Sequence, residues 1–250
     1  MRILLTIVAA LWGAGTGLLL PRAAHRFSVD SGQPWSDRCP GGHPIRGACA
    51  GWLGRARCGQ GEAAGECGSY GPSTVAVTTS TSLVCAALAA ATGPHPEALV
   101  WLLITPVAVL LALVDYRVHR LPDALTLPLA AGTATLLGIT AALPATTGSW
   151  PRSLLGGLTL GTAYLLLFLI NPSGLGFGDV KLALALGAAL GWYGWQILLT
   201  GAFAGLFYGA LYGLGMVAVR RAGRKSAIPL GPFMIGGAFT GLLLGAFAAT

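Results

Sequence analysis

Charge is scarce in this sequence. Only 9% of its 250 residues are Asp, Glu, Lys or Arg, where a soluble domain carries about 25%. The acids number eight: Asp30, Asp37, Glu62, Glu66, Glu97, Asp115, Asp123 and Asp179. A soluble chain of this length cannot cover its surface with so few charged groups. That excludes a cytosolic globular enzyme, a disordered tail and a nucleic-acid-binding module. The net charge of +7 suggests a nucleic-acid partner only if its placement is ignored. Hydrophobic residues supply 54% of the chain, and glycine another 38 positions. The composition is that of an all-α, polytopic membrane protein in contact with lipid.

Apolar stretches long enough to cross a hydrocarbon core recur along the chain. They run over Ile3–Leu20, Thr74–Thr92, Ala98–Val114, Ala124–Leu143, Ser153–Ile170 and Ile228–Ala249. Val180–Val219 is too long for one span and divides at the aromatic cluster Gly191-Trp192-Tyr193-Gly194-Trp195, giving a bundle of about eight transmembrane helices. The basic residues fall on alternate sides. Of the 15 Lys and Arg, only Arg2 and Arg152 lie opposite the rest, so the rich side is expected to face the cytosol. The organisation expected is a first transmembrane helix over residues 1–20, a polar loop over residues 21–73 and a seven-helix core over residues 74–250. Met1–Leu20 also has the shape of a signal peptide. The six arginines from Arg22 to Arg57 oppose translocation and favour an anchor.

Two helices carry glycine every fourth residue, at Gly201, Gly205, Gly209 and Gly213 and at Gly237, Gly241 and Gly245. Such ridges let helices approach closely in lipid. They speak for packing and carry no chemistry.

Two of the acids sit where acids are costly. Asp115 ends the third apolar stretch, and Asp179 precedes the stretch from Val180. Two spans separate them, so both return to the same face. Val180–Leu190 is short for a span, which either thins the bilayer or draws Asp179 below its boundary. An ionisable group there is a candidate functional group. Paired carboxylates suit hydrolysis in particular: they share a proton, so one can act as base on a water while the other donates to a carbonyl. Gly176 and Gly178 would let a peptide come close to Asp179. The structural alternatives are an Asp115 ion pair with Arg117 or Arg120, and helix N-caps at Asp179 and at Asp123, which follows Pro122.

The segment Val114-Asp115-Tyr116-Arg117-Val118-His119-Arg120-Leu121-Pro122-Asp123 resembles the first signature of the type IV prepilin peptidases. Gly174–Trp192, GLGFGDVKLALALGAALGW, resembles their second, and IPLGPFMIGGAF from Ile228 resembles their last helix. The resemblance implies a membrane aspartic endopeptidase of the GxGD type in a bacterial inner membrane. Such an enzyme cleaves the leader of prepilins or pseudopilins at the cytosolic face and needs no cofactor for proteolysis. By position it implies Asp115 and Asp179 as the catalytic pair. Gly176, Gly178 and Lys181 would form the active-site loop, with Lys181 meeting a headgroup or tuning Asp179.

The loop over residues 21–73 departs from that pattern. Longer members of the family carry two CxxC pairs there, a zinc tetrad, and many also N-methylate the trimmed pilin. Here Cys39 and Cys58 keep one half of each pair, and Gly42 and Gly61 occupy the partner positions. Cys39, Cys49, Cys58 and Cys67, with His43, are candidate zinc ligands, but their spacings fit no common zinc pattern. The expectation is a Gly- and Arg-rich, poorly ordered loop without zinc and a chain without methyltransferase activity. Cys85 lies in a span and reads as packing. The rival readings are an intramembrane protease of the presenilin or signal-peptide-peptidase type, whose Pro-Ala-Leu motif does not occur here, and a small transporter.

Overall fold

The structure, a computed structural model, describes the chain apart from Ser31, residues 59–67, Ser173, residues 220–228 and Thr250. Its helices are α1 (Arg2–Phe27), α2 (Ala48–Gly51), α3 (Thr74–Thr92), α4 (Glu97–Val118), α5 (Asp123–Ala141), α6 (Trp150–Ile170), α7 (Phe177–Tyr193), α8 (Trp195–Ala218) and α9 (Gly231–Ala249). Among the described residues there is no strand, only isolated bridges between Arg38 and Pro44 and between Arg57 and Ser69. Among the described residues, seven helices are long and apolar enough to cross a membrane, and α7, with 17 residues, is shorter. The chain is a polytopic helical membrane bundle. Its lipid-facing surface is built from exposed Leu, Ile, Phe and Val such as Ile3, Leu4, Leu158, Phe203 and Phe207.

The division at the aromatic cluster falls at Gly194, whose φ of 122° breaks the helix between Tyr193 and Trp195. The first helix is longer than its apolar run implied. It continues through Pro21 to Phe27, because Arg22 and Arg26 find acceptors in the loop beyond. Arg22 Nη1 donates to the Arg46 carbonyl at 3.0 Å and Nη2 to that of Arg55 at 3.2 Å, and Arg26 Nη1 donates to that of Ala50 at 2.8 Å.

Helix α7 lies at the centre, packed against α5, α6, α8 and α9. Twelve of its 17 residues are buried, so almost none of it meets lipid. It binds α6 most closely: a Cβ on Gly187 would lie 2.5 Å from the Gly156 carbonyl oxygen. The α8 and α9 ridges meet in the same manner, with a Cβ on Gly237 only 2.3 Å from the Gly205 nitrogen. Glycine there is a steric requirement, and closeness of backbone replaces the hydrophobic drive that lipid removes.

At one end of the bundle Glu97 is fully buried and accepts hydrogen bonds from the N–H of Thr147, at 3.2 Å, and from its hydroxyl. Nearby, Trp101 Nε1 donates to the Tyr193 hydroxyl at 3.2 Å, tying α4 to the end of α7. Both acids of interest lie at the opposite ends of these two helices.

Candidate active site

Helix α4 ends at His119, which takes the left-handed conformation (φ 51°) and donates its N–H to the Asp115 carbonyl at 2.8 Å. The chain then turns through Leu121 and Pro122 into α5. Helix α7 starts at Phe177, with Gly176 as the flanking residue. Leu121 and Gly178 are where these two segments touch. A Cβ on Gly178 would sit 2.8 Å from that of Leu121 and 3.2 Å from its carbonyl oxygen, so only glycine lets them meet so closely.

The contact brings Asp115 and Asp179 into one cleft of about 280 Å³, lined also by His119, Arg120, Leu121, Asp123, Gly176, Phe177, Gly178 and Lys181. Both acids are buried, at 4% and 8% exposure. Each is oriented by a backbone donor. The Gly231 N–H, from the start of α9, donates to Asp115 Oδ2 at 2.8 Å. The Gly176 N–H donates to Asp179 Oδ2 at 3.1 Å. Neither bond consumes the second carboxylate oxygen. The cleft therefore offers carboxylates on two separate helices, glycine-smooth walls and an opening at one end of the bundle. That set can activate a water and polarise a carbonyl.

Three expectations are corrected here. Asp179 is not the N-cap of a helix from Val180: α7 begins earlier, at Phe177, and Asp179 stands in its first turn, bonded back to Gly176. Asp123 is not an N-cap either. Pro122 holds that position, and the Asp123 carboxylate pairs with Lys181. Lys181 accordingly faces Asp123, with Nζ 4.8 Å from the Phe177 ring centre, and meets Asp179 through no described ion pair. Asp115 likewise forms no described ion pair with Arg117 or Arg120, and Arg120 donates instead to the Asp30 carbonyl at 3.2 Å. One further role emerges only in the structure. Gly231, within the segment that resembles the family's last helix, acts through its backbone N–H on a residue 116 positions away.

Residues 101–214, which hold both acids, match the model of the type IV leader peptidase family. By this match the chain is similar to that family. Among curated relatives, the prepilin leader peptidase/N-methyltransferase of Aeromonas hydrophila is 33% identical over 166 residues, covering 66% of this chain and 56% of the relative. That of Pseudomonas putida is 37% identical over 146 residues, covering 57% of this chain and 48% of the relative. The Pseudomonas aeruginosa protein of the same name is 34% identical over 149 residues, with 58% and 49% covered. The chain thus spans about half the length of the curated relatives it matches. No solved structure matches it.

Outside the cleft, the described part of the loop between α1 and α3 is built, not formless. It makes a turn at Cys39–His43, closed by Cys39 N–H to the His43 carbonyl at 2.9 Å and Gly42 N–H to the Cys39 carbonyl at 2.8 Å. Phe27, Trp35 and Trp52 stack against one another where it docks on α1, with Arg26 4.0 Å over the Trp52 ring. Of the four cysteines named as metal candidates, Cys39 and Cys58 come together with His43. Cys49 is exposed and outside that group. Cys67 lies outside the described residues, as do Glu62, Glu66, Arg220, Arg221, Arg224, Lys225 and Ile228. Cys85 is fully buried in α3, beside Gly13 of α1.

Proposed function

We propose that this chain is an aspartic endopeptidase of a bacterial inner membrane, removing the leader of prepilins or pseudopilins at the cytosolic face. The observation that carries the reading is the pairing of Asp115 and Asp179 in one buried cleft, from the two signature segments. The cytosolic assignment rests on the distribution of Lys and Arg, of which only Arg2 and Arg152 lie on the other side.

Two carboxylates facing one cleft can share one proton between them. The ionised aspartate takes a proton from a water, whose oxygen attacks the scissile carbonyl carbon. The protonated aspartate donates to the carbonyl oxygen as charge develops there. The diol then collapses, the C–N bond breaks, and the proton taken from the water passes to the leaving nitrogen. No metal or covalent intermediate enters these steps. Gly176 and Gly178 leave room for the substrate backbone beside Asp179, while the N–H groups of Gly231 and Gly176 fix the two carboxylates before substrate arrives. The proposal is for proteolysis alone, because carboxylates placed for hydrolysis are what the cleft supplies.

Co-expression with a candidate prepilin, followed by N-terminal sequencing of the product, tests the reading. Cleavage just before the apolar helix of the substrate by wild type, and none by Asp179→Asn, is the expected result. Cleavage within that helix would favour an intramembrane protease of the presenilin type. Proton- or solute-coupled flux lost in Asp115→Asn, without cleavage, would favour a transporter.

A further inference from the structure

The loop between α1 and α3 buries very little of itself. Its own core consists of Cys39, Ala56 and Tyr70, flanked by Ile45 and Cys58. So small a unit needs a staple besides its apolar contacts.

The centre of that core is a triangle of ligand atoms. Cys39 Sγ and Cys58 Sγ lie 3.5 Å apart, Cys39 Sγ is 3.5 Å from His43 Nδ1, and Cys58 Sγ is 3.4 Å from the same nitrogen. A tetrahedral zinc ion with bonds of about 2.3 Å to sulfur and about 2.0–2.1 Å to nitrogen requires S···S edges near 3.8 Å and S···N edges near 3.6 Å. The three atoms are therefore one face of a coordination tetrahedron to within about 0.3 Å. The turn that closes at Gly42 (φ 82°) makes this possible, since it swings position 43, not position 42, towards Cys39. The sequence thus replaces the second cysteine of a CxxC pair with a histidine one residue further on. Arg22, Arg46 and Arg57 line the adjoining cavity of about 210 Å³.

We infer that Cys39, His43 and Cys58 bind a divalent metal of the zinc class, which locks the α1–α3 loop into one unit. Thiolate and imidazole together select zinc over magnesium or calcium. Binding displaces the two thiol protons, so the metal is held at neutral pH and released as the pH falls. The unit reaches the cleft through Arg120, which lines it and donates to the Asp30 carbonyl. The metal would thereby steady one rim of the cleft while taking no part in the chemistry there.

Metal content of the full chain, purified in detergent under reducing conditions after growth with zinc, tests this without any activity assay. Wild type, Cys49→Ser and Cys85→Ser should carry one equivalent of zinc. Cys39→Ser, Cys58→Ser and His43→Ala should lose it by at least about tenfold. His43→Cys should regain it, which separates a lost ligand from a merely damaged loop. Cobalt-loaded wild type should show thiolate-to-cobalt charge transfer that Cys58→Ser abolishes. Metal-free wild type, a Cys39–Cys58 disulfide by non-reducing mass spectrometry, or a full equivalent in His43→Ala would each overturn the inference.

Discussion

Lys181 Nζ lies 2.7 Å from Asp123 Oδ1 and so joins the second turn of α7 to the first turn of α5. The carboxylate end of this pair is 62% exposed, and exposed pairs contribute at most about 1 kcal/mol. Asp123→Asn should therefore cleave substrate within about fivefold of wild type. Lys181→Met should cost more, since it also removes the cation beside Phe177. A dead Asp123→Asn enzyme, measured on the same prepilin, would mean that this carboxylate acts in the reaction.

Asp115→Asn and Asp179→Asn are the direct tests of the cleft. Each should reduce leader cleavage by at least about 10²–10⁴-fold, the range expected for losing a general acid or base. Membrane fractionation should recover both variants at the wild-type level. Full activity in either would remove that residue from the catalytic pair.

The glycines around the cleft divide into two classes. A Cβ on Gly231 would lie 2.8 Å from Asp115 Oδ2, and one on Gly178 would lie 2.8 Å from the Leu121 Cβ. Gly231→Ala and Gly178→Ala should lower kcat by about tenfold or more, because they displace a carboxylate or part the two signature segments. Gly176 has an ordinary φ of −78°, and its nearest neighbour, Asp179 Oδ2, would be 3.3 Å away. Gly176→Ala should cost less than either, since its Cβ only crowds the edge of the Asp179 carboxylate and the space left for substrate. Equal effects at all three positions would refute the steric account.

Glu97 stands at the end of the bundle away from the cleft and serves the fold. Its carboxylate takes both donors of Thr147 and so holds the α5–α6 connection against α4. Glu97→Ala should lower stability by about 1–3 kcal/mol, seen as an earlier thermal unfolding midpoint in detergent. Cleavage by the folded fraction should be unchanged. An unaltered midpoint would show that Thr147 finds other partners.

What the sequence made legible followed from strong local signals. Glycines flanking Trp192, Tyr193 and Trp195 mark the break between α7 and α8, and the positions of Asp115 and Asp179 at apolar boundaries mark the cleft. What it concealed depended on side chains or backbone meeting at a distance. Gly231 lies in the segment quoted for the last helix, but nothing local announces that its N–H serves Asp115, 116 positions away. Arg22 and Arg26 count as charges in a topology argument, yet their guanidinium groups are spent on loop carbonyls. His43 is legible as a candidate ligand, but its approach to Cys39 and Cys58 depends on the turn at Gly42, which the residue types do not announce. Asp123 has the composition of a cap, and tertiary pairing with Lys181 overrides that local preference.

The shortness of α7 has a consequence for how water and substrate enter. Its 17 residues span about 25 Å, less than a hydrocarbon core of about 30 Å. A lipid-facing helix would have to tilt or thin the bilayer around it. Helices α5, α6, α8 and α9 surround this one instead, so its missing length is not a mismatch with lipid. The shortness falls to a helix enclosed by longer neighbours, with Asp179 in its first turn beside the cleft, so water and substrate would enter at that end of the bundle.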